Sequence, residues 1–181
     1  MFRAALCGAA ALVSVPAMAQ PAESDFLTGP VIADFGTTLP VPGAQAIPAG
    51  AEFAVAFDVS KEADTGEINR TLNSAARFLN MHVRAGVEPE NIRIAIVVHG
   101  RAVRDVANAA TYAAAHGGAG NANAAAVAAL LGRGATIHVC GQSAAYYGVG
   151  AEDLLPGVRM EISAMTAHAL LQQLGYTLNP F

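Results

Sequence analysis

From residue 51 onward the chain alternates between two hydrophobic rhythms. Phe53, Val55 and Phe57 recur at every second position and run into Asp58-Val59-Ser60, the period of a β-strand. Ile68, Leu72, Ala75, Leu79 and Val83 then recur at helical spacing. Asp64 with Glu67 three residues later predicts the start of that helix, and Gly86 its end. Ile92 to Val98 is almost wholly apolar, the mark of a strand covered on both faces, as in a parallel sheet. An alanine-rich segment predicts a second helix over 102–115, broken by Gly117-Gly118-Ala119-Gly120. Asn121 or Asn123 opens a third helix ending at Leu131, and Thr136 to Cys140 reads as another strand. A short helix over Gln142 to Tyr147, a strand over Val158 to Ile162, a helix over Ser163 to Leu174 and an edge strand at Tyr176 to Leu178 complete the series. The alternation predicts an α/β domain with a doubly wound, mainly parallel sheet of about five strands and helices on both faces.

The first fifty residues follow other rules. Arg3, the apolar stretch from Ala4 to Val15, Pro16 and Ala17-Met18-Ala19 have the layout of a cleavable signal peptide over residues 1–19. Its expected consequence is export to the periplasm. Residues 20–50 carry five prolines and four glycines, which excludes a long helix or a central strand and predicts an extended arm. Within it, Val31 to Phe35 is apolar enough to dock on the domain or on a neighbouring subunit. The α/β domain proper is expected over 51–181.

Composition narrows the functional classes. The chain of 181 residues has 10 basic and 14 acidic side chains and a formal charge of -4, which argues against nucleic acid as a partner. Beyond the leader no apolar run is long enough to span a membrane. Cleavage after Ala19 removes Cys7 and leaves Cys140 as a solitary thiol in an exported protein, where cysteines are usually paired.

Ligands bind such sheets outside the carboxyl ends of the strands. There the sequence places Asp58 and Ser60, His99-Gly100, Cys140-Gly141-Gln142-Ser143, and Ser163. Cys140 stands where a strand passes into a helix, so free amides favour a thiolate, the reactive form. His99 on the neighbouring rim is the candidate proton partner, provided the two strands are adjacent. Ser60, Gly100, Gly141, Gln142 and Ser143 are the candidate ligand-binding positions. The competing reading of Cys140 is a small buried hydrophobe at a strand end. His138, Cys140 and His99 do not form a recognised metal-ligand motif, so no metal is expected. Phosphate-cradling and hydrolase motifs are likewise missing from the sequence, and no cofactor is expected. His82, His116 and His168 read as capping or surface residues, and Arg101 and Arg104 as exposed helical arginines.

Taken together, Ile94 to Ala102, Asn121-Ala122-Asn123, Ile137 to Ser143, Asp153 to Val158 and Leu171 to Tyr176 resemble exported members of the DsrE/DsrF-like sulfur-relay family. The resemblance covers about residues 51–178, and Cys140-Gly141-Gln142-Ser143 is its most specific part. It implies a compact α/β fold and a homo-oligomer, trimer or hexamer. It also implies that Cys140 carries sulfane sulfur as a persulfide between donor and acceptor proteins. The alternative is a non-catalytic oligomeric module of the same fold that binds a ligand or serves as a scaffold.

Overall fold

The structure, a computed structural model, describes residues 20–179. Five strands form one sheet in the order β4-β3-β2-β1-β5, and every pairing is parallel. They are β1 (Phe53–Val59), β2 (Ile92–Val98), β3 (Thr136–Cys140), β4 (Arg159–Glu161) and β5 (Thr177–Asn179). The helices are α1 (Arg70–Arg84), α2 (Ala109–Ala115), α3 (Asn123–Leu131), α4 (Gly141–Tyr147) and α5 (Ala164–Gln173). The expected α/β class and doubly wound sheet are observed.

Side-chain alternation sorts the strands into two faces. Val55, Phe57, Val59, Ile94, Ile96, Val98, Ile137 and Val139 point into the larger core with Leu72 and Leu79 of α1, Leu130 of α3 and Ala144 of α4. Ala56, Ala95 and Val97 point the other way, onto Ala167 and Leu171 of α5. Strands β1 to β4 advance in one direction with their connections on the first face. Helix α5 then crosses back over the second face to deliver β5 beside β1. The helices leaving β3 and β4 therefore depart to opposite faces, which makes the ends of these two strands the switch point of the sheet, the place where such sheets ordinarily bind ligands.

Two local expectations are corrected. Helix α1 begins six residues after Asp64: Asn69 is its N-cap and its side chain accepts from the Thr71 amide. Gly66 adopts φ +84, which a continuing helix does not allow, so Asp64 to Glu67 forms a turn instead. The helix expected over 102–115 divides into a 3-10 turn at Gly100–Val106 and the α-helix from Ala109. The division falls where extended Ala107 bridges to Leu154 and the Asn108 amide donates to the Asp153 carbonyl; Asp105 Oδ2, just before it, accepts from the Ala63 amide and from Asn69 Nδ2 and anchors the loop after β1. The Asn108 side chain then caps α2 through the Thr111 amide.

The arm lies on its own domain. Asn80, fully buried on α1, accepts from the amides of Val31 and Ile32 and donates to the carbonyls of Ile32, Phe35 and Gly36. Asn73 accepts from the Gly36 amide. A side chain at Gly36 would run into the backbone of Ala76 and Arg77, so glycine is required for so close an approach. The leader expected over 1–19 lies outside the described residues.

Candidate functional site

Cys140 is the last residue of β3 and the N-cap of α4. Its neighbour Gly141 packs against the end of β4, where a Cβ would sit 2.6 Å from the Glu161 carbonyl oxygen. That close approach brings the first residues of α5 up to the sulfur. Burial works to raise the Cys140 pKa. The Ser143 hydroxyl and the amides of Ser143, Ala164 and Gln142 outweigh it, and the thiol lies below its ordinary value. The sulfur thus meets donors from both helices that leave these strand ends. Only 6 % of the residue is accessible.

His99 follows β2, one step beyond the paired Val98 and Val139, and belongs to the same sheet face as Cys140. Strands β2 and β3 are adjacent, as a pairing of the two residues requires. The His99 Nε2, however, lies 3.0 Å from Asp58 Oδ2 on β1. His168 of α5 joins them, with its Nε2 2.7 Å from Asp58 Oδ1. One carboxylate therefore carries two imidazoles. Burial opposes the Asp58 charge, but hydrogen bonds from His99 and His168 and their electrostatic interaction with the carboxylate outweigh it and lower the Asp58 pKa. A second pair stands on the same face, His138 Nδ1 with Glu161 Oε1 at 2.8 Å.

The candidate ligand-binding residues divide into two groups. Gly141, Gln142 and Ser143 surround the sulfur, with the Gln142 side chain exposed. The Gly100 amide donates to Ser143 Oγ at 2.9 Å, which ties the turn after His99 to the start of α4. Gly100 has φ +57, and its place beside the Ser60 carbonyl is again one that glycine fills best. Ser60 itself is not at the thiol. It lines a rim cavity of about 700 Å³ with Lys61, Arg101, Arg104 and His116, and Cys140 is not among the lining residues.

His116 is the C-cap of α2 and Arg101 is exposed, as expected, whereas His82 is buried and His168 faces the sheet. His168 reaches Asp58 from α5. His82 stacks on Phe78, and its Nδ1 meets the Phe78 carbonyl. His116 stacks on Tyr112 and meets Glu62 at 3.1 Å. Arg101 pairs with Glu62 at 2.9 Å, and Arg104 lies over the Tyr147 ring. Sequence reasoning missed Asp58 and His168 as partners. The only local signal was an acidic residue closing an apolar strand, since His168 is 110 positions away. Among the described residues no cluster of three or more His, Cys, Asp or Glu has a metal-binding arrangement.

A family model described as the DsrE/DsrF-like family matches residues 52–180. The chain belongs to the DsrE/DsrF-like family. The match includes β1 to β5 and both residues of the Cys140–His99 rim, and leaves the arm outside. Among solved structures, this DsrE/DsrF-like chain is similar to MTH1491 of Methanobacterium thermoautotrophicum, a protein of unknown function. The TM-score is 0.50 at 22 % identity, over 72 % of this chain and 100 % of that one. That likeness concerns the fold. A search of curated proteins gives no match. Among the described residues no helix is long and apolar enough to cross a membrane.

Proposed function

We propose that this DsrE/DsrF-like protein is a periplasmic sulfur carrier that accepts sulfane sulfur as a persulfide on Cys140. One observation carries the reading: the Cys140 thiol is held below its ordinary pKa by a hydroxyl and amides converging from two diverging helices. A thiolate at neutral pH is the nucleophile that sulfur transfer requires. Family membership supports the same chemistry, and the leader-like sequence over 1–19 supports export. His99 is the proton partner in this reading. Donor and acceptor are proteins or small molecules bearing persulfides and thiols.

Assembly into a homo-oligomer, trimer or hexamer, belongs to the same proposal. Ile162 just before α5, Met165 of α5 and Tyr146 of α4 are 75 %, 80 % and 82 % exposed, and Leu170 and Leu174 at the end of α5 are exposed too. Large apolar side chains gathered at a surface mark an interaction site.

A second reading, a non-catalytic ligand-binding or scaffold module, draws on the low exposure of Cys140 and on the separate rim cavity beside Ser60. The rate of Cys140 alkylation against pH separates the two. The carrier reading expects an inflection below that of free cysteine, abolished in Cys140→Ser. A rate equal to or slower than that of free cysteine across the range favours the module.

A further inference from the structure

We propose that Asp58 and His168 are positioning residues that fix His99 as the proton acceptor for Cys140. This rests on the reading of Cys140 as the sulfur-accepting thiol and adds the machinery that moves its proton.

Hydrogen-bond chemistry carries the argument. An ionised carboxylate only accepts hydrogen bonds, so each imidazole facing Asp58 presents its Nε2 as the N–H donor. Each ring then keeps its lone pair on Nδ1. In His168 that nitrogen is buried and has no hydrogen-bond partner. A proton added there would bury an N–H without an acceptor, which folded proteins avoid. His99 has no such restriction, because 31 % of its side chain is accessible at the rim. Of the two imidazoles on one carboxylate, His99 is therefore the one free to take a proton, and Asp58 is placed to stabilise the imidazolium. His168 tethers the carboxylate from α5 and keeps it aimed at the sheet.

Position completes the case. His99 is one step past the Val98–Val139 pair, on the face that carries Cys140, and adjacent strands lie about 4.8 Å apart. The Gly100–Ser143 bond locks the turn after His99 to the residue whose hydroxyl serves the sulfur. The other charged groups on this face are engaged elsewhere or removed from it. Glu161 is taken by His138, Arg93 lies over Tyr176, and Arg159 is exposed beside β3 on the edge strand. Beyond the rim, Arg101 and Arg104 face Glu62, and Lys61 lines the neighbouring cavity.

The step balances without an external oxidant. His99 Nδ1 takes the Cys140 proton, and the thiolate attacks the terminal sulfur of a donor persulfide, R–S–SH. The new S–S bond forms on Cys140 as the donor's S–S bond breaks, and the departing R–S⁻ takes the proton back from His99. The sum is Cys140–SH plus R–S–SH giving Cys140–S–SH plus R–SH.

The test is iodoacetamide alkylation of the mature protein between about pH 5 and pH 9, where a thiolate–imidazolium pair gives reactivity on the acidic side. In Asp58→Asn the rate near pH 6, relative to the alkaline plateau, falls about tenfold, the effect of a shift of about one pKa unit. His99→Gln, altered at the accessible rim, carries the same expectation independently of how Asp58→Asn folds. His168→Gln moves the ratio in the same direction, and Glu161→Gln leaves it unchanged. An unfolded chain also titrates as free cysteine, so the profiles compared are those of variants whose circular dichroism and thermal transition match the wild type. Profiles of Asp58→Asn and His99→Gln that superimpose on wild type overturn the proposal. A wild-type thiol that behaves as free cysteine overturns instead the carrier reading on which it rests.

Discussion

Gly141 and Glu161 are so closely packed that a methyl group on Gly141 would lie 2.6 Å from the Glu161 carbonyl oxygen. This contact joins the ends of β3 and β4 at the point where their helices diverge. It allows the Ala164 amide at the start of α5 to serve a sulfur on β3. Gly141→Ala is expected to push the strand ends apart, at a cost of about 1–3 kcal/mol. Urea unfolding measures that loss. Alkylation near neutral pH is expected to slow as well, because an amide donor has been withdrawn from the thiolate.

Ser143 serves two partners: its oxygen accepts from the Gly100 amide, and its hydroxyl favours the charged sulfur. In Ser143→Ala the Cys140 pKa rises, so the alkylation profile moves to the alkaline side. The Gly100 amide also loses its acceptor, and stability falls by about 1 kcal/mol. An unmoved profile contradicts the assignment of the hydroxyl.

Asn80 holds the arm by five hydrogen bonds to backbone groups at residues 31, 32, 35 and 36. Asn80→Ala leaves those groups unpaired and opens a cavity, with an expected cost of about 2–5 kcal/mol. Limited proteolysis checks it: cleavage between residues 28 and 40 appears in the variant before the α/β domain is cut. Equal resistance of variant and wild type contradicts the anchoring role.

Two aspartates give opposite pH slopes. The pKa of Asp58 is lower folded than unfolded, so its contribution is present above the unfolded value of about 3.9 and is lost as pH falls through the folded value. Burial raises the pKa of Asp105, against the hydrogen bonds from Asn69 and Ala63. Ionising it disfavours the fold, and this penalty grows as pH rises from about 3.9 through the folded value. Asp58→Asn is expected to flatten the loss of stability on acidification below about pH 4, and Asp105→Asn to remove a gain of stability on acidification towards about pH 4 from above. Unfolding measured at a series of acidic pH values checks both signs.

How far the sequence revealed these features depends on the distance between the residues involved. The strands β1, β2 and β3 were legible because their apolar runs are continuous, and the rim residues followed from where those runs stop. Cys140 and Ser143 are three positions apart, and their relation is local. The start of α1 was misplaced because the loop before it is fixed by Asp105, some 40 residues downstream and invisible to helical periodicity. The segment expected to be one helix over 102–115 breaks where Ala107 and Asn108 pair with Leu154 and Asp153, again residues far along the chain. From the sequence His168 reads as a capping or surface residue, because its partner, Asp58, comes from the first strand and only the crossing of α5 over the second face brings them together.

Sulfur loading of Cys140 tests the account most directly, by intact-mass measurement of freshly reduced protein spanning residues 20–181 after exposure to a polysulfide. The account predicts a gain of one or more whole sulfur atoms that is reversed by reductant and does not occur in Cys140→Ser. A wild-type mass unchanged by the donor, or a gain that persists in Cys140→Ser, contradicts it.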